Sequence, residues 1–142
     1  MASANAQFAR QLLSFSDFSR AFRDIAEAIS LIEEFMSGMD SEGFREDPRT
    51  IAAVERKLLV ISEAAIRLGQ EAELRCPGPP WGEIRGIGNW LRHQYDAVEL
   101  PVVWKTVRDD LPPLKAAVLR TLAPHQGDST SLDPSPTPDL KR

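Results

Sequence analysis

The stretch FSDFSRAFRDIAEAISLIEEFM, residues 15–36, decides the fold class. Phe15, Phe18, Phe22, Ile25, Ile29, Ile32 and Met36 recur at alternating spacings of three and four. Residues so spaced share one stripe of a helix, and a seam of this period marks long helices packed at a shallow angle. Gly38 is the expected stop, because glycine enters the left-handed conformation that ends helices at little steric cost.

Working outward, the same period returns twice. Asp47 reads as an N-cap and Pro48 as a first helical residue, where a missing N–H costs nothing. Ile51, Val54, Leu58, Ile61, Ala65 and Leu68 then predict a helix closed by Gly69 or by the CPGPP segment at 76–80. Leu59, Val60 and Ile66 widen its apolar face, which predicts burial on more than one side. Pro101 starts a further helix with Val103, Val107, Leu111, Leu114, Val118 and Leu122 on one seam. The Pro112-Pro113 pair predicts a break or kink near Asp110 and a short extra C-terminal segment.

Between these lies WGEIRGIGNWLRHQYD, residues 81–96, aimed by Pro77, Pro79 and Pro80 into a third helix over about 81–97. It places Ile84, Ile87, Leu91 and Tyr95 on one stripe. Arg85, Asn89, Arg92, His93 and Asp96 fall on the neighbouring one. Gly86 and Gly88 each weaken a helix interior by roughly 1 kcal/mol relative to alanine. A bare backbone there serves either close helix packing or room for a ligand. No period-two run or Asn-Gly hairpin occurs. The expected architecture is all-α, an antiparallel four-helix bundle over residues 1–123. The segment 124–142, rich in Pro, Ser, Thr and Asp, reads as a disordered tail.

A chain of 142 residues with 42% hydrophobic and 27% charged residues suits one soluble domain. No apolar run approaches the roughly 20 residues that span a bilayer, and the N-terminus lacks a signal-peptide pattern. Cys76 is the single cysteine, so no intrachain disulfide can form and a cytoplasmic setting is expected. The net charge of −4 argues against a general nucleic-acid coat protein. It leaves room for a local basic groove, since Arg85, Arg92, Lys105 and Arg108 share a window whose acidic residues are Asp96 and Glu99.

Several chemistries fail on residue count. Di-iron bundles need Glu-x-x-His pairs on two helices, and zinc needs three or four clustered ligands. With His93 and His125 the histidines of the chain, neither a metal nor another cofactor is expected. No Gly-x-Ser-x-Gly elbow occurs, and Gly86 and Gly88 follow no strand and precede no Lys-Ser/Thr. Asn89, Arg92, His93 and Tyr95 stay in play. A histidine works as acid or base near neutral pH, and an arginine balances charge at phosphorus. Asparagine can hold the imidazole or a phosphate oxygen. The competing reading is a solvated face without a site. Glu63 in SEAA is either a paired carboxylate entering the bundle or a solvent-facing residue.

The chain resembles the HepT-like toxins of the HEPN superfamily, all-helical proteins of toxin–antitoxin systems. The resemblance rests on Trp81 followed by Asn89, His93 and Tyr95, on VVWKTVRDDLPPL at 102–114, and on AVERKLLVISEAA at 53–65. It covers roughly residues 14–122. It implies a metal-independent endoribonuclease that acts as a homodimer, with Arg and His of each subunit lining a cleft at the interface. RNA is then cut with help from its 2′-hydroxyl. It also implies an MntA-type minimal nucleotidyltransferase antitoxin that silences the toxin by AMPylation of Tyr95.

One departure bears on activity. The family places an arginine immediately before the asparagine, where this chain has Gly88. Arg85 has seven residues between it and His93, and Arg92 is adjacent to His93, about 100° away around a helix. The expected site is therefore His93 as acid or base, Asn89 in support, and Arg92 or Arg85 as the replacement cation. The alternative is a catalytically degenerate HEPN protein that serves as a binding partner of a nucleotidyltransferase.

Overall fold

A computed structural model describes residues 4–93 and 100–123, with side chains from Asp17 onward in the first helix. Tyr95, Asp96 and the segment 124–142 lie outside the described residues, as does the Phe15 side chain. Helix α1 (Ala4–Phe35) is followed by a single-turn α2 (Ser41–Arg45), the long α3 (Pro48–Leu68) and a second single turn, α4 (Glu71–Arg75). Then come α5 (Trp81–His93), α6 (Leu100–Lys105), a π-helical turn at Thr106–Asp110 and α7 (Leu111–Leu122). The described residues are all-α, as the seams predict.

Each seam becomes core. Phe22, Ile25, Ile29 and Ile32 of α1, with Met36 just after it, are buried together with Val54, Leu58, Ile61, Ala65 and Leu68 of α3. Val103, Val107, Leu111, Leu114 and Val118 complete the core from the last helical run, with α7 lying along α1. Helix α3 sits at the centre, between α1 and α5. Its apolar face is narrower than expected. Ile66 is 54% exposed, because α1 and α5 cover two flanks of α3 and leave the third to solvent.

Caps and stops follow local chemistry. Gly38 and Gly69 take positive φ of 73° and 54° after α1 and at the end of α3. Asp47 Oδ1 accepts the Thr50 N–H at 3.1 Å, and its Oδ2 accepts the Thr50 hydroxyl at 2.8 Å. The two single-turn helices were not expected. Asp40 caps α2 through the Gly43 N–H, and Phe44 is buried there against Trp104 with ring centroids 5.7 Å apart.

The Pro112-Pro113 pair does not break the chain. The Leu111 N–H reaches the Thr106 carbonyl, so one π-helical turn absorbs the mismatch between α6 and α7. The prolines then occupy the start of α7, where no intrahelical N–H is required. The run from Leu100 to Leu122 is thus divided by a distorted turn ending at Asp110, with α7 as the expected short C-terminal helix. No described helix is long and apolar enough to cross a membrane.

Candidate functional site on α5

The entry to α5 is anchored by Trp81. Its ring is buried edge-on to Phe22, with centroids 6.2 Å apart, and its indole N–H donates to the Cys76 carbonyl at 2.8 Å. This bond folds the CPGPP segment back on itself. The Ile84 N–H donates to the Pro80 carbonyl, so the helix starts at once.

From that anchor α5 lies on α3 along Trp81, Ile84 and Gly88, all buried, while Ile87 and Leu91 are only half-buried. The helix is thus rotated relative to the expected stripe. Facing Gly88 from α3 is Ser62, the buried polar side chain of the described residues. Its hydroxyl donates to the Arg85 carbonyl at 2.8 Å and accepts the Gly88 N–H at 3.1 Å. A Cβ on residue 88 would stand 3.1 Å from both Ser62 Oγ and Leu59 Cδ1. Glycine is what lets the two helices approach this closely. Gly86 has open space where a Cβ would be, so close packing explains only Gly88.

The four candidate residues of the site divide. Arg85 is turned away from the others. Its Nη2 donates to the Gly69 carbonyl at 2.7 Å and its Nε to the Ala65 carbonyl at 3.4 Å. The same guanidinium pairs with Glu73 of α4. A cation on the last carbonyls of α3 complements that helix end, so the local geometry is that of a cap. Asn89, Arg92 and His93 are all exposed and share one turn of α5. Asn89 precedes Arg92 by three residues and His93 by four, so it lies under both. The Arg92 side chain has no ion pair or hydrogen bond among the described residues.

Of the other cations in the window, Arg108 lies over the Trp104 ring, 5.3 Å from its centroid, and Lys105 is exposed. Glu63 faces solvent, and its neighbour Ser62 is the residue that enters the interior. Ser62 was not singled out from the sequence, although it stands four residues after Leu58 and three before Ala65, on the buried stripe. A buried hydroxyl facing a glycine on the next helix was the available signal.

Two cavities flank α5 without including the exposed turn. One of about 350 Å³ is lined by Ile87, Trp90, Val102 and Thr106, among others. Another of about 440 Å³ lies between Ile84, Ile87 and Leu114 beneath the CPGPP segment. Asn89, Arg92 and His93 line neither. Among the described residues no group of three His, Cys, Asp or Glu side chains is arranged to hold a metal ion.

The family model described as ribonuclease HepT-like matches residues 25–121, from the middle of α1 to the end of α7. The chain is 42% identical over 92 residues to "Probable ribonuclease HepT" of Thermococcus cleftensis, covering 65% of this chain and 84% of that protein. It is 30% identical over 106 residues to "Putative RNase MJ1380" of Methanocaldococcus jannaschii, covering 75% and 97%. "Putative RNase TTE0752" of Caldanaerobacter subterraneus is 31% identical over 98 residues, covering 69% and 88%. No solved structure matches the chain.

Proposed function

The chain belongs to the HepT-like ribonuclease family, and on that premise we propose that it is a metal-independent endoribonuclease. The observation that carries the reading is the exposed turn of α5. There Asn89, Arg92 and His93 stand together and Arg92 has no internal partner among the described residues. His93 takes the proton of an RNA 2′-hydroxyl or supplies one to the leaving 5′-oxygen. The 2′-oxygen–phosphorus bond forms as the phosphorus–5′-oxygen bond breaks, leaving a 2′,3′-cyclic phosphate. Arg92 balances the charge on the non-bridging oxygens, and Asn89 holds a phosphate oxygen or the imidazole.

Such electrostatic help is weak in open water and strong where water is excluded. Three exposed side chains on one helix therefore call for a covering surface. The homodimer that the family resemblance implies supplies it, with the α5 turn of each copy facing a shared cleft. The same resemblance assigns the chain the toxin role beside a minimal nucleotidyltransferase antitoxin. AMP transferred to Tyr95 would place bulk and negative charge two residues from His93 and repel an RNA phosphate.

A second reading, a catalytically degenerate partner of the nucleotidyltransferase, is favoured by the state of Arg85 and Gly88. The first is committed to the end of α3, and the second has no side chain. RNA cleavage by the purified chain separates the two readings. The ribonuclease predicts a fall of about 10²-fold or more on His93→Ala. Equal cleavage by both proteins sinks the enzymatic reading and leaves the binding role.

A further inference from the structure

We propose that the Gly88–Ser62 contact is a positioning device for Arg92, seating its guanidinium one helical turn back, over residue 88, as the phosphate-binding cation of the site. The phosphate's identity as RNA rests on the ribonuclease reading. The seating of the guanidinium does not.

Three observations meet at this point. First, Arg92 Nη2 lies 3.6 Å from where a Cβ of residue 88 would be. Helical side chains lean toward the helix N-terminus, so residue 92 naturally covers residue 88. Any side chain larger than a methyl at 88 would compete with the guanidinium for that space. Second, Ser62 accepts from the Gly88 N–H and donates to the Arg85 carbonyl. It grips α5 from both sides of one turn and fixes the rotation of the helix about its axis. With the rotation fixed, Asn89, Arg92 and His93 stay exposed, and Arg92 Nη2 stays over residue 88. Third, the competing cations are engaged or distant. Arg85 caps α3, Arg108 lies over Trp104, and Lys105 is on another helix.

The consequence is a cation held over residue 88 without an acidic partner among the described residues. Its stem lies along the helix surface and its charge is not spent on an internal carboxylate among the described residues. Part of the cost of ordering a long side chain on binding an anion is thereby met in advance. Gly88 and Ser62 are positioning residues, and Arg92 is the group that touches the phosphate.

The test uses a fluorescent 2′-O-methyl oligoribonucleotide, which lacks the attacking hydroxyl, so binding is read without cleavage. Anisotropy titrations at two salt concentrations compare the intact chain with Arg92→Ala, Gly88→Leu and the double variant. Arg92→Ala is expected to weaken binding about tenfold at low salt and to lower the salt slope by about 1. Gly88→Leu is expected to weaken binding to a similar extent, and to add nothing when Arg92 is already alanine. A purely structural role for Gly88 would cost as much in either background. If Gly88→Leu does not fold, Ser62→Ala takes its place in the same cycle with the same expectation. Arg23→Ala, which removes an exposed cation from α1, should change affinity by less than about twofold. The proposal is overturned if the intact chain does not bind, if Arg92→Ala behaves like Arg23→Ala, or if Gly88→Leu costs the same in both backgrounds. Cleavage of the unmodified oligonucleotide is read separately. His93-dependent cleavage with Arg92-independent binding removes this inference alone. Arg92-dependent binding without cleavage supports it and removes the ribonuclease reading.

Discussion

The guanidinium of Arg85 closes the C-terminal end of α3, and its loss belongs in stability before chemistry. Its side chain is 26% exposed and bonded to two backbone carbonyls, whereas its partner Glu73 is 46% exposed and contributes less. Arg85→Ala should lower the unfolding free energy by about 1.5–3 kcal/mol, the range for bonds to a charged group. Circular-dichroism melts should show Tm falling by several degrees. Lost RNA cleavage at an unchanged Tm would instead make Arg85 part of the site. Gly88 shows the converse. The family resemblance expects an arginine at that position, and here the position is buried against Ser62 and Leu59. A side chain added there must move α3 or Arg92. Residue type and spacing marked both positions as notable, yet neither direction is legible from spacing, because each depends on α3.

Among the elements, α3 shows how far local chemistry reaches. The Asp47–Pro48 start is visible in the sequence, and the cap forms. The Thr50 backbone N–H, and after it the Thr50 hydroxyl, hold the Asp47 carboxyl below its ordinary value of 3.8. An acid whose folded pKa is lowered stabilises the fold fully above its unfolded value. That contribution is lost as pH falls through the folded one. The stability gap between the intact chain and Asp47→Ala should therefore be constant above about pH 5, then narrow as the pH falls below about 4. Urea unfolding across that range measures it. A gap independent of pH down to 2 would mean that the carboxylate charge does not act in the cap. The last helical run shows the limit of local rules. A Pro-Pro pair predicts a break or kink, and tertiary packing resolves it as a π-helical turn that carries the helix through. Buried Val103 before it, Val107 within it, and Leu111 and Leu114 after it hold both flanks on one core. Packing outweighs a local preference when both sides of the disruption have something to bury.

At the scale of the whole molecule, the site sits on the outside of the bundle, with cavities beside it but not over it. If two copies complete the cleft, specific activity must depend on protein concentration. Dilution below the dimer dissociation constant should lower the cleavage rate per chain in step with the dimer fraction from analytical ultracentrifugation. A rate per chain that stays constant while the protein becomes monomeric would show that one copy suffices. The sequence by itself determined the long helices, the Asp47 cap, the Gly38 and Gly69 stops, most of the core and the cluster of polar residues on α5. Periodicity, capping and turn chemistry act over a few residues and are written locally. Only the tertiary structure decided the rotation of α5, the commitment of Arg85 to α3 and the role of Ser62. Those outcomes turn on hydrogen bonds between residues 16 to 26 positions apart, and on how closely two helices approach once a side chain is missing.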